Sequence, residues 1–166
     1  MLNNEHHASR PPNGHSFSDM PEFNVVIFGF LLSLPWEMLQ VPFYAGMMTA
    51  PHWPAVEFCT LAAIVDAFIM LMAYWGVAFS AQSRRWMSAP TRSQVLVFLA
   101  LGLAVSVLIE HIATHAPWGW RYSPLMPIEP LLGIALEPVL MWVIVPLLLL
   151  WFVKRQRRPL AEKELP

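Results

Sequence analysis

The sequence predicts an all-α polytopic membrane protein, a four-transmembrane-helix bundle, from three observations. Of its 166 residues, 57% are hydrophobic and 13% charged, against about 25% charged in an ordinary soluble domain. The charges gather in residues 1–22, in 82–94 and after 153, which leaves four long stretches almost bare of them. Those stretches, 23–46, 55–81, 95–116 and 131–153, each reach about 33 Å or more as a helix, enough for a hydrocarbon core of roughly 30 Å.

Residues 1–22 are polar, rich in Pro, Ser, His and Asn, and read as a flexible cytoplasmic tail with no signal-peptide pattern. The spans that follow should be helices, because backbone groups in lipid must be paired internally. On the first, Ser33, Glu37, Gln40 and Tyr44 form one polar stripe. On the second, Cys59, Asp66 and the small residues Ala62, Ala63 and Ala73 share a face, which lets a neighbouring backbone come close. The third aligns Ser106, Glu110 and Thr114, with His111 and His115 on the adjoining strip. The fourth aligns Gly133, Glu137 and Met141. Prolines 35, 42, 138 and 146 are expected to kink the first and fourth helices. Residues 154–166 form a basic cytoplasmic tail.

Nine of the ten Lys and Arg residues fall on one side if both termini are cytoplasmic, with Arg121 alone opposite. The positive-inside rule therefore predicts a multi-pass protein with four spans and both ends in the cytoplasm. A net charge of −1 gives no basis for binding nucleic acid. A single cysteine, Cys59, excludes an intramolecular disulfide and a multi-cysteine zinc module. No nucleophile elbow, phosphate loop, dinucleotide fingerprint or HExxH motif is present.

The charges left inside the spans are all acidic: Glu37 in the first, Glu57 and Asp66 in the second, Glu110 in the third and Glu137 in the fourth. An acid at mid-bilayer costs about 2.5–3.5 kcal/mol to insert, so one on every helix requires a reason. Helical rise puts Glu37, Asp66, Glu110 and Glu137 at one depth, roughly 9–16 Å below the outer boundary. Carboxyl groups so close in a low dielectric cannot all be ionised, and some are expected to be protonated unless His111, His115, Arg121 or a bound cation compensates. The cluster reads either as a proton-active or metal-binding pocket, or as neutral acids hydrogen-bonding across helices. His111 and His115 at i, i+4 have the spacing for two metal-ligating imidazoles on one helix.

Residues 117–130, PWGWRYSPLMPIEP, combine Trp118, Trp120 and Tyr122 with Arg121 and several prolines. They suit an interfacial aromatic belt, or a lid over the acids in which Arg121 neutralises a carboxylate or grips an anionic headgroup.

Pro35-Trp36-Glu37, Cys59-Thr60 with Asp66, Glu110, Trp120-x-Tyr122, Met126-Pro127, and Gly133 followed by Glu137-Pro138 and Trp142 together resemble a group of small uncharacterised bacterial integral membrane proteins. That resemblance spans most of residues 25–150 and implies the same topology in a bacterial inner membrane. Trp120-x-Tyr122 and residues 131–151 are also similar to the last part of the membrane-integral lycopene cyclases, over about thirty residues. In that family a Trp-x-aromatic stretch precedes a glycine, an acidic pair and an apolar run with proline. The likeness implies protonation of a polyene and ring closure without net redox, with intramembrane carboxylic acids as donors. Glu137 stands at the first acid and Pro138 at the second.

The expected function is that of a membrane-embedded enzyme acting on a lipid or isoprenoid by general acid–base chemistry. Glu110 and Glu137 would exchange the proton and Glu37 and Asp66 would shape the field. Arg121, Trp120, Tyr122 and Tyr44 would bind substrate, with His111 and Arg121 stabilising developing charge. The alternatives are a non-enzymatic accessory or assembly subunit with a membrane-protein partner, or a proton- or cation-coupled carrier. No particular cofactor is implied.

Overall fold

The computed structural model describes residues 20–130 and 133–162, with side chains described to residue 156. Of the predicted N-terminal tail, residues 1–19 lie outside that description and Pro21 and Glu22 open the first helix. Four helices make up the bundle: α1 (Pro21–Leu39), α2 (His52–Ser80), α3 (Arg92–His115) and α4 (Leu136–Glu162). Each includes a stretch long and apolar enough to cross a membrane, so the chain is a multi-pass membrane protein. The helices run up and down in a ring, α1 against α2 and α4, and α3 against α2 and α4.

Several helix ends differ from the sequence expectation, and the reasons are local. α1 stops at Leu39 because Pro42 has no N–H and disfavours helical backbone just before it. The chain turns instead through a 3₁₀ segment, Val41–Phe43, so Tyr44 leaves the stripe of Ser33, Glu37 and Gln40. α4 starts at Leu136, because Gly133 takes φ +66° in a turn closed by Gly133 N–H to Glu129 O at 2.9 Å and Glu129 N–H to Ile134 O at 2.8 Å. Pro138 therefore sits in the first turn of α4, where an N–H would have no intrahelical partner anyway. Of the four prolines expected to kink helices, only Pro35 and Pro146 are in helix interiors. α3 opens with a capping box, in which Thr91 Oγ1 accepts from Gln94 N–H at 3.3 Å and Gln94 Oε1 accepts from Thr91 N–H at 2.9 Å.

Helical periodicity sets the core. Val25, Gly29, Ser33 and Glu37 are buried along α1, and Met141, Trp142, Val145, Leu149 and Val153 along α4. At Gly29 a side chain would meet Ala67 and Met70, so this glycine lets α1 approach α2 closely. Leu31, Phe68, Met72, Leu96, Leu108 and Leu140 point outward, where they would meet lipid chains. One end of the bundle is tied by Arg84, whose guanidinium pairs with Glu22 at 2.8 Å while its carbonyl accepts from the Tyr74 hydroxyl at 2.7 Å. The opposite end carries residues 40–51, 116–130 and 133–135, and there the carboxyl groups lie.

Candidate acid–base site

The two end segments are zipped together. Tyr44 and Tyr122 form an antiparallel bridge, with Ala45 N–H on Arg121 O at 2.8 Å and Ser123 N–H on Phe43 O at 2.9 Å. The Ser123 hydroxyl also donates to Pro42 O at 2.7 Å. In extended backbone, alternate residues face opposite ways. Trp120 and Tyr122 therefore both face α3, and Arg121 between them faces outward and is exposed. That alternation corrects the expectation that Arg121 neutralises a carboxylate: it lines neither cavity of the site.

Glu110 is held by three aromatic donors. Tyr44 donates its hydroxyl to Oε1 at 3.0 Å, while Tyr122 and Trp120 donate to Oε2 at 2.6 and 3.1 Å. Burial, together with the adjacent Glu110, pushes the Tyr44 and Tyr122 phenols well above their ordinary range. Both keep their protons and so remain donors. The rings support one another, with Tyr44 edge-on to Trp120 at 6.2 Å and Phe58 edge-on to Trp120 at 6.1 Å.

The other acids are brought to the same end, as their depth and phase predict. Glu37 is buried and accepts from the Gln40 amide, while its backbone carbonyl accepts from Cys59 Sγ at 3.5 Å. Its carboxyl lies close to that of Asp66, and both line the same cavity. Glu137 is buried and accepts from Trp36 Nε1; its Oε2 and Asp66 Oδ2 have no hydrogen-bond partner among the described residues. The four acids lie within electrostatic reach of one another. Glu57 is exposed on α2.

A cavity of about 400 Å³ opens beside them, within the range of small-molecule sites. Glu37, Asp66 and Glu110 line it, and among the described residues no Lys or Arg does. Its remaining walls are mainly apolar and aromatic, including Phe58, Trp120, Met141 and Trp142. Leu61 and Val65 of α2 and Ile112 of α3 line it and are also exposed, so its mouth faces sideways between those helices. A second cavity of about 120 Å³ lies between α3 and the segment leading into α4, lined by Glu110, His111, His115 and Tyr122 among others.

The imidazoles of His111 and His115 lie 4.5 Å apart on an exposed strip. His115 Nδ1 is taken up by its own helix at His111 O, 2.7 Å away. Among the described residues no three His, Cys, Asp or Glu converge as a metal-binding group, so the pair suggested by i, i+4 spacing has no third ligand there. The Trp36 contact with Glu137 escaped sequence reasoning, although its signal was available. Trp36 is one residue, about 100° of helical turn, from Glu37, which aims it at α4 rather than α2. No family model, curated protein or solved structure matches the chain.

Proposed function

We propose that this is a membrane-embedded enzyme that takes a lipid or isoprenoid chain from the bilayer and transforms it by general acid–base chemistry. The observation that carries this reading is the larger cavity, apolar over most of its wall, open sideways between α2 and α3, and lined by Glu37, Asp66 and Glu110. A mouth that faces hydrocarbon selects molecules already dissolved there. With no Lys or Arg among the described residues lining that cavity, the acids are most simply balanced by protons.

The geometry favours a distribution of roles different from the one expected on sequence. Glu110 is occupied by three donors and Glu137 is outside the cavity lining, whereas Glu37 and Asp66 line it as a carboxyl pair. In this reading the Glu37–Asp66 pair exchanges a proton with the substrate. Trp120, Trp142 and Phe58 present ring faces or edges to any positive charge that develops. Glu137, held by Trp36, shapes the field from behind. The end bearing Arg84, Arg85, Arg92, Lys154 and Arg155 would face the cytoplasm.

Lipid and isoprenoid profiling by mass spectrometry of cells carrying wild type, Asp66→Asn or Glu37→Gln at matched protein levels tests this. The expected result is accumulation of one unreacted apolar precursor in both variants. Profiles identical to wild type in both would overturn the reading.

A further inference from the structure

We propose that Glu110 is the port through which protons pass between the outer surface and the large cavity, a role that rests on the acid–base reading above. Glu110 is the one carboxyl group among the described residues that lines both cavities, and its two hydroxyl donors are divided between them. Oε2 accepts from the hydroxyl of Tyr122, which lines the small cavity, and Oε1 accepts from that of Tyr44, which lines the large one. Trp120 Nε1, also on Oε2, fixes the carboxyl plane without offering an exchange path, because an indole N–H donates only.

The small cavity supplies the outer connection. Its volume, about 120 Å³, is well above the roughly 10–15 Å³ that one water requires. His111 and His115 line it from the exposed strip of α3, and Thr114 beside them is turned back onto the Glu110 and His111 carbonyls at 2.7 and 3.2 Å. A proton from an imidazolium passes to water in this cavity. Tyr122 takes a proton from that water as it gives its own to Oε2. After a half-turn of the now neutral Glu110 carboxyl, which exchanges its two oxygens, the Tyr44 oxygen takes that proton as Tyr44 gives its own to water in the large cavity, from which the carboxylate of Glu37 or Asp66 receives it. Every step breaks one O–H or N–H bond and makes another, with no change of oxidation state. The neutral imidazole is reloaded from bulk water.

Hydrogen–deuterium exchange of buried carboxylic acids, followed by infrared spectroscopy on the full-length protein in lipid, tests the port without any substrate. The carboxylic C=O band removed by Asp66→Asn is the reporter. Tyr44→Phe, Tyr122→Phe and a His111→Gln/His115→Gln double variant should each slow its shift in heavy water by about tenfold or more. Tyr74→Phe, at the far end of the bundle, serves as a control and should exchange like wild type. Far-UV circular dichroism confirms that the compared proteins are folded. Equal exchange rates in wild type and the port variants would overturn the port while leaving the acid–base reading intact. Absence of any carboxylic band assignable to Glu37 or Asp66 would overturn both.

Discussion

The Tyr122 hydroxyl lies 2.6 Å from Glu110 Oε2, tying the segment after α3 back to the third helix. With Tyr44 and Trp120 on the same carboxyl, this bond makes one side chain the anchor of both end loops. Glu110→Ala would leave three donors without an acceptor. An unsatisfied buried donor costs about 1–3 kcal/mol, and the partial exposure of Trp120 and Tyr122 lowers the sum, so a loss of about 3 kcal/mol is expected. Glu110→Gln retains one oxygen and should lose about half as much. Thermal unfolding in one detergent orders the three proteins, and equal midpoints for Ala and Gln would contradict the anchor.

Arg121 should contribute little despite being the one Lys or Arg among the described residues at the acid-bearing end. Its side chain faces away from the carboxyl groups, on the opposite side of the strand from Trp120 and Tyr122. Arg121→Gln is expected to shift stability by no more than about 0.5 kcal/mol, as for an ordinary surface replacement. It should also leave the co-purifying lipids unchanged in mass spectrometry. A large loss in either measurement would mean that Arg121 turns inward in the membrane.

The contrast between Glu110 and Arg121 shows what was legible in the sequence and what was not. Helical rise and phase are fixed numbers, so the convergence of Glu37, Asp66, Glu110 and Glu137 at one end follows from counting residues along four apolar spans. The four-helix architecture follows for the same reason. Tyr44 was legible as a polar residue near Glu37 but not as a donor to Glu110. Its position depends on Pro42 ending α1 and on a strand-like pairing with Tyr122, far along the chain. Local periodicity carries no information about such a pairing. The inward and outward assignment of Trp120, Arg121 and Tyr122 required that pairing first, which is why Arg121 was expected to meet a carboxylate.

The sideways mouth can be closed without touching the acids. Leu61 is 62% exposed and also lines the cavity, whereas Phe68, on the same helix, is 56% exposed and does not. Leu61→Trp should place an indole across the gap between α2 and α3 and reduce the bound lipid or isoprenoid detected by native mass spectrometry. Phe68→Trp adds similar bulk elsewhere on the lipid-facing surface and should leave binding as in wild type. Neither change disturbs the buried core, so both proteins should unfold within about 0.5 kcal/mol of wild type. Equal occupancy in the two variants would exclude access by this route.

The floor of the cavity depends on a glycine. Trp142 of α4 is almost fully buried, lines the large cavity and packs over Gly102 of α3. A Cβ at position 102 would run into the six-membered ring of Trp142, and a buried ring has little room to retreat in a close-packed core. Gly102→Ala should therefore cost about 1–3 kcal/mol through overpacking, despite the better helix propensity of alanine. Gly133→Ala offers a contrast, because its added Cβ meets nothing and the strain comes only from φ +66°; the expected cost is about 1 kcal/mol. The two variants separate by a second measurement. Gly102→Ala pushes Trp142 toward the cavity and should weaken ligand retention, while Gly133→Ala should leave it unchanged. If Gly102→Ala were as stable as wild type and retained ligand equally, Trp142 would not form the floor.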